Sequence, residues 1–168
     1  GFMRKKFGRE KALPAHMALT FEQSYGPIDG DSASSAEIYA LLSALSEIPL
    51  RQDLAVTGAV NLRGDVMAVG GVNEKILGFF ELCSERGLTG DQGVLIPSSN
   101  VDDLMLEPAV VEAVRKRKFH LWAVNHVDQG IALLADTTAR QVYGAVEARL
   151  SGWAKDDKEA KGGAARTN

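Results

Sequence analysis

Hydrophobic positions along the chain switch between a helical period and short apolar or alternating runs, which predicts a domain of interleaved helices and strands. In the first periodic stretch the apolar positions are Ile38, Leu41, Leu42 and Leu45. Their i, i+3, i+4, i+7 spacing is typical of one face of a buried helix. A second helix is predicted over residues 72–86, since the apolar positions keep this period and Gly87 supplies a stop signal.

The start of the first helix carries a local capping signal. Ser34 is followed three residues later by Glu37, and this spacing predicts a capping box, in which each side chain bonds a free amide of the first turn. Ser32 then lies just ahead of the cap with no assigned partner. Turn and cap roles are the more frequent explanation of such serines.

The remaining runs predict strands and further helices in alternation. Strands are predicted over residues 16–25, in two runs within 53–71 around the turn NLRGD, and over 93–97 and 119–124. Helices are predicted from Pro108, a residue suited to a first helical position, and from Asp128 to Leu150. We therefore predict an α/β or α+β domain over residues 1–150 with some parallel strand pairing, followed by a charged flexible tail over 151–168.

Composition narrows the class of protein. The chain has 168 residues and a net charge of −3, and a chain of this size forms one domain that buries roughly 70% of its unfolded surface. No apolar run approaches the ~20 residues that span a bilayer, so a membrane partner is excluded. The basic residues near the start are Arg4, Lys5, Lys6, Arg9 and Lys11. Such clusters are usually solvated, and the overall charge does not favour a nucleic-acid partner.

Cysteine and histidine usage indicates the compartment and argues against a metal site. The single cysteine, Cys83, has no partner for an internal disulfide, and the N-terminal residues do not read as a signal peptide. A cytoplasmic location is therefore expected. His16, His120 and His126 lack the spacing of metal ligands, so no metal is expected.

A lysine changes the interpretation of Ser32. Lys75 lies in the first turn of the second predicted helix and borders its apolar stripe. The helix dipole and a dry environment both penalise the ammonium form. A neutral lysine amine is a base, and a serine hydroxyl needs an adjacent base to attack a carbonyl. Ser32 and Lys75 are therefore candidates for a Ser–Lys pair, a known alternative to the Ser–His–Asp triad.

Three ordered motifs carry a family resemblance. DGDSAS at residues 29–34, AVTGAVNLRGDV at 55–66 and VGGVNEKI at 69–76 resemble the proteolytic domain of the Lon family of ATP-dependent proteases. The likeness runs from about Thr20 to Leu134, and it falls in the branch with GDSAS where the commoner bacterial form has GPSAG. The stretches LTFEQSY and GVNEKILGFF are similar to Lon-related proteases of bacteria.

The resemblance implies roles and partners for this chain. Ser32 would be the nucleophile, Lys75 the general base, and Thr57 the threonine whose hydroxyl helps hold the lysine amine. The implied fold is the compact Lon protease fold, related to a domain of ribosomal protein S5. The implied assembly is a hexameric ring that degrades unfolded polypeptides. No GxxxxGK[ST] motif is present, so the AAA+ ATPase domain, with its ATP and Mg²⁺, would lie elsewhere in a full-length chain, and the leading strands of the domain would be missing before Phe2.

Three alternatives remain open. Asp29 and Asp31 flank Ser32 closely enough for either to pair with protonated Lys75 in a resting state, although turn and cap roles are more common for such residues. A histidine could replace Lys75 as the base, but the sequence offers no serine elbow or matching acid. A domain without its motor could also be a catalytically inactive regulatory or assembly module.

Overall fold

The computed structural model describes residues 1–8, 17–19 and 30–164, with side chains up to position 156. The strands are β1 (Leu54–Val56), β2 (Ala59–Val60), β3 (Val66–Met67), β4 (Gly93–Pro97) and β5 (His120–Val124). The helices are α1 (Phe2–Phe7), α2 (Ser34–Ser46), α3 (Val72–Arg86), α4 (Pro108–Arg115), α5 (Val127–Leu134) and α6 (Ala139–Ala164), and a 3₁₀ helix covers Ser98–Asp103.

A parallel sheet with strand order β1-β4-β5 forms the centre of the fold. All five residues of the middle strand, β4, are buried, as a continuous apolar run predicts for a strand covered on both faces. Strands β2 and β3 form a separate antiparallel pair around residues 61–65. The parallel pairing confirms the predicted mixed α/β class.

Helices cover both faces of this sheet. Leu95 of β4 belongs to a core cluster built with α1, α2, α5 and α6, whereas its neighbours Val94 and Ile96 belong to a second cluster built with α3 and α4. Successive side chains of a strand point to opposite faces, so the two clusters lie on opposite sides of the sheet. Helices α2 and α3, which carry the candidate residues, are thus anchored on different faces.

The first predicted β run in residues 53–71 is split between two sheets. The Thr57 amide donates to the Leu95 carbonyl at 3.1 Å, whereas the next amide, of Gly58, donates to the Ser32 carbonyl at 2.9 Å. The chain therefore leaves the parallel sheet after Thr57 to bind the turn that contains Ser32. A long-range contact of this kind has no local sequence signal.

Two predictions about helix ends are wrong. The N-cap of α2 is Ala33 without a side-chain bond, because the Ser34 hydroxyl donates to the Asp31 carbonyl at 2.7 Å instead of capping. The helix predicted from Asp128 to Leu150 is interrupted between α5 and α6. Asp136 there has φ 48, and Thr138 accepts the Gln141 amide at 3.3 Å and so starts the second helix.

The structure describes only part of two predicted segments, residues 16–25 and 151–168. Of the strand predicted over residues 16–25, only 17–19 are described, without strand structure, and the rest lies outside the described residues. Helix α6 continues to Ala164, into the segment for which the sequence predicts a flexible tail. Within the described ranges, no helix has both the length and the apolarity needed to cross a bilayer.

Candidate active site

Ser32 lies in a tight turn directly before α2. The Asp31 carbonyl accepts the Ser34 amide at 3.0 Å and the Ser34 hydroxyl at 2.7 Å, which closes the turn. The Ser32 carbonyl accepts the Gly58 amide at 2.9 Å and the Thr57 hydroxyl at 3.4 Å. Because the Ser35 amide also donates to the Gly58 carbonyl at 3.1 Å, the turn is attached at both Ser32 and Ser35 to the segment between β1 and β2.

Lys75 reaches the same segment from α3. The N-cap of this helix is Gly71 in the left-handed region, with φ 67, a conformation that glycine adopts at no steric cost. The Lys75 amide donates to the Gly71 carbonyl at 3.0 Å. Its Nζ donates to the Thr57 Oγ1 at 3.4 Å, so the lysine amine and the Ser32 turn contact one shared hydroxyl.

Thr57 is the centre of this arrangement. Its side chain is buried, with 6% exposed, and a buried hydroxyl costs free energy unless it is hydrogen-bonded. Here it accepts from Lys75 and donates to the Ser32 carbonyl, so both functions of the hydroxyl are used. The threonine therefore connects the Lys75 amine to the turn that contains Ser32.

Ser32, Thr57 and Lys75 line one open cleft of about 450 Å³. Among the described residues of its wall, Glu74 is the other charged one, and the apolar remainder is Ala33, Ala36, Ala55, Val56, Gly78, Phe79 and Val94. Lys75 itself is exposed to solvent, so the dry pocket expected from its place beside the buried Ile76 is absent from this part of the structure. In the described part of the chain, no hydrogen bond joins Ser32 Oγ directly to Lys75 Nζ.

The other candidate residues from the sequence are Asp29, Asp31 and the three histidines. Asp31 is exposed and, among the described residues, forms no ion pair with Lys75; Asp29 lies outside the described residues. His120 bonds the Gly90 carbonyl at 2.7 Å and His126 caps α5, so neither lines the cleft, and His16 lies outside the description. In the ranges that the structure covers, no group of three or more potential metal ligands is found.

Sequence reasoning missed one charged residue of this cleft and one contact of the turn beside it. Glu74 could have been noticed because it directly precedes Lys75 in the same helical turn. The second role of Ser34, which accepts the Val60 amide at 3.0 Å, had no signal, since its partner is 26 residues away along the chain. Only folding brings the two residues together.

Comparison with known proteins identifies the class. The chain belongs to the family of the Lon protease (S16) C-terminal proteolytic domain, whose model matches residues 8–135. This membership confirms the resemblance carried by the three motifs and the expected fold class. The family is one of serine peptidases.

Similar proteins share this region. The "Putative Lon protease homolog" of Escherichia coli (strain K12) is 49% identical over 133 residues, which are 79% of this chain and 23% of that protein. The protein of the same name from Haemophilus influenzae is 49% identical over 122 residues, 73% of this chain and 20% of that protein. The archaeal Lon protease of Methanocaldococcus jannaschii is 42% identical over 113 residues, 61% of this chain and 16% of that protein. The chain thus spans about a fifth of the length of these relatives.

Proposed function

We propose that this domain is a serine endopeptidase in which Ser32 is the nucleophile and Lys75 the general base. The observation that carries the proposal is the convergence of both residues on Thr57 in one cleft, with Nζ 3.4 Å from the threonine hydroxyl. Hydrogen bonds between catalytic groups are often long or absent before substrate binds. Ser32 and Lys75 line the same cleft, and we propose that their hydroxyl and amine come together when substrate binds.

The proposed reaction is acyl transfer through an ester. Ser32 Oγ forms a bond to the carbonyl carbon of the substrate while its proton passes to the neutral Lys75 amine, and the carbonyl electron pair moves to oxygen. The C–N bond then breaks as the Lys75 ammonium returns the proton to the leaving amine. Water attacks the resulting acyl-Ser32 ester by the same route, which releases the new carboxyl group and restores the serine.

The negative oxygen of the intermediate requires hydrogen-bond donors. The backbone amide of Ser32 is a candidate, because among the described residues it has no hydrogen-bond partner. It lies in the turn ahead of α2, where the free amides and the helix dipole favour negative charge. This amide would stabilise the developing oxyanion without rearrangement of the turn.

The substrates proposed for this site are unfolded polypeptides. An open cleft with a largely apolar wall that includes Val56 and Phe79 fits side chains that a folded protein keeps in its core. For the longer protein we further propose a cytoplasmic hexameric ring with an AAA+ ATPase domain, in which ATP and Mg²⁺ drive unfolding. The relatives are several times longer than the chain, and we place the proposed ATPase domain in that additional length.

A serine-directed reagent tests this proposal against that of an inactive Lon-like module. The wild-type domain, incubated with a peptide boronate or a fluorophosphonate, is expected to carry the reagent on Ser32, as located by mass spectrometry. Ser32→Ala is expected to remain unmodified. Ser43→Ala is the control, since Ser43 lies on α2, which follows the Ser32 turn, with its hydroxyl bound to the Ile48 carbonyl at 2.7 Å. No modification of the wild type, together with no cleavage of an unfolded protein, would favour the inactive module.

Substitution of Thr57 by valine tests how the amine is held. Valine keeps the volume but removes the bonds to Lys75 Nζ and the Ser32 carbonyl. We expect kcat to fall by about tenfold, because the bond to Lys75 Nζ orients the base and the loss of one hydrogen bond of ordinary strength has this effect. Cleavage of a fluorescently labelled unfolded protein measures the effect, with Thr89→Val, at an exposed threonine outside the cleft, as the control. An unchanged kcat would show that the hydroxyl does not orient the lysine.

A further inference from the structure

We propose that Ser34 is a positioning residue for catalysis, because its hydroxyl sets the orientation of the peptide group that links Asp31 to Ser32. The inference rests on the proposed function of Ser32. Ser34 is the first residue of α2 and does not cap it, since the N-cap position belongs to Ala33. Its hydroxyl is committed elsewhere, to a contact with the nucleophile turn and to a contact with a strand.

The first contact fixes the carbonyl side of the peptide group. Ser34 Oγ donates to the Asp31 carbonyl at 2.7 Å, and the Ser34 amide donates to the same oxygen at 3.0 Å. A planar trans peptide directs its N–H opposite to its carbonyl oxygen. With the Asp31 carbonyl held toward the start of α2, the Ser32 amide is directed away from the helix, and in the described residues it has no partner.

The second contact ties the turn to the β2–β3 hairpin. Ser34 Oγ accepts the Val60 amide at 3.0 Å, so the hydroxyl acts as donor and acceptor at once. A hydroxyl can do both. Since a lone pair of this oxygen accepts the Val60 amide, its single proton is directed toward the Asp31 carbonyl. Val60 lies on β2, two residues after Gly58, whose amide binds the Ser32 carbonyl at 2.9 Å. The same short segment therefore holds Ser32 through its carbonyl and holds the preceding peptide group through Ser34.

The arrangement predicts a specific defect when the hydroxyl is removed. In Ser34→Ala the Asp31 carbonyl keeps its hydrogen bond from the Ser34 amide but loses the shorter one from the Ser34 hydroxyl. The Asp31–Ser32 peptide group is then less restrained, so the Ser32 amide points toward the oxyanion for a smaller fraction of the time. We expect kcat to fall about tenfold with KM changed less than twofold, and Ser34→Thr, which keeps a hydroxyl, to recover most of the loss. The affinity for a peptide boronate, whose adduct is tetrahedral, should fall in the same proportion as kcat.

The experiment compares wild type, Ser34→Ala, Ser34→Thr and the control Ser43→Ala, a helix α2 serine that binds the Ile48 carbonyl instead of the turn. For each we would measure kcat and KM on an unfolded protein, the boronate affinity, the affinity for a non-cleavable peptide and the melting temperature. Ser34→Cys serves as a second variant if alanine lowers the melting temperature below the assay range. The non-cleavable peptide, which forms no oxyanion, should bind all variants equally.

The outcomes separate this inference from the proposed function. If the wild type neither cleaves nor binds the boronate, the proposed function fails and Ser34 is not the cause. If the wild type is active but Ser34→Ala keeps its kcat and its boronate affinity, the positioning role is overturned. It is also overturned if the substitution lowers only the melting temperature, or if it weakens the boronate and the non-cleavable peptide equally, since those results indicate a structural role.

Discussion

Replacement of Lys75 by methionine is expected to lower kcat for cleavage of an unfolded protein by about 10³-fold, the range in which general acid–base catalysis contributes. Methionine keeps an unbranched side chain of similar length but has no nitrogen to accept the Ser32 proton. The side chain is exposed, so the free energy of unfolding should change by less than about 0.5 kcal/mol. Steady-state kinetics and a thermal melt of the same sample measure the two quantities.

Two further variants separate the base from the charge. Lys75→Arg keeps the positive charge, but a guanidinium does not lose its proton in proteins, so this variant should be as slow as Lys75→Met. In Lys75→Ala, a small primary amine in solution should restore part of the activity by filling the vacated space. Lys118→Met, at an exposed lysine outside the cleft, is the control. Full activity in Lys75→Met would rule out the lysine as the base and would favour a histidine, the alternative base that the sequence leaves open.

The largest effect on stability is expected for Gly130→Ala, which should lower the free energy of unfolding by about 3 kcal/mol. A Cβ at Gly130, in α5, would lie 1.9 Å from Tyr39 Oη and 2.5 Å from Cζ. Tyr39 cannot swing aside, since it is only 2% exposed and packs in the main core. Burial, together with the charge of Asp128, raises the pKa of this tyrosine above its usual range, and the hydroxyl has no hydrogen-bond partner among the described residues.

A control glycine and a second substitution test the cause of the loss. Gly144 lies in α6 with open space around it, so Gly144→Ala should stabilise by up to about 1 kcal/mol through helix propensity. Tyr39→Phe removes the hydroxyl, and in combination with Gly130→Ala it should recover about 1 kcal/mol of the loss. Chemical denaturation measures the free energy of unfolding of the wild type and of each variant. Equal stability of Gly130→Ala and wild type would mean that α2, which carries Tyr39, and α5 can separate without cost.

The elements that the sequence predicted best are those whose neighbours along the chain decide their structure. Helix α3 follows its apolar period and ends at Gly87, and β4 follows its unbroken apolar run. The capping box of Ser34 and Glu37 failed because the hydroxyl found partners at Asp31 and Val60. Local patterns predict an element reliably only where no distant group competes for the same hydrogen bonds.

The candidate site was likewise predictable from the sequence only in part. The motifs named Ser32, Thr57 and Lys75, and their family is confirmed by the match to residues 8–135. Their roles in catalysis stay predictions. Lys75 is exposed, although its place beside the apolar stripe of α3 favoured a dry environment. The stripe predicts which face of the helix is buried, but it does not predict what covers a residue at the border of that face.

By itself the sequence determined the periods of the helices and strands, the order of the three motifs and the chemistry of the side chains in them. Only the tertiary structure decided that the chain leaves the parallel sheet after Thr57, so that the Thr57 hydroxyl and the Gly58 amide bind the Ser32 carbonyl. It also decided that the Lys75 amine reaches the same threonine from the opposite face of the sheet. The physical reason is that hydrophobic periodicity acts between neighbours a few residues apart. Hydrogen bonds across 18 to 26 residues exist only after packing has brought their partners together.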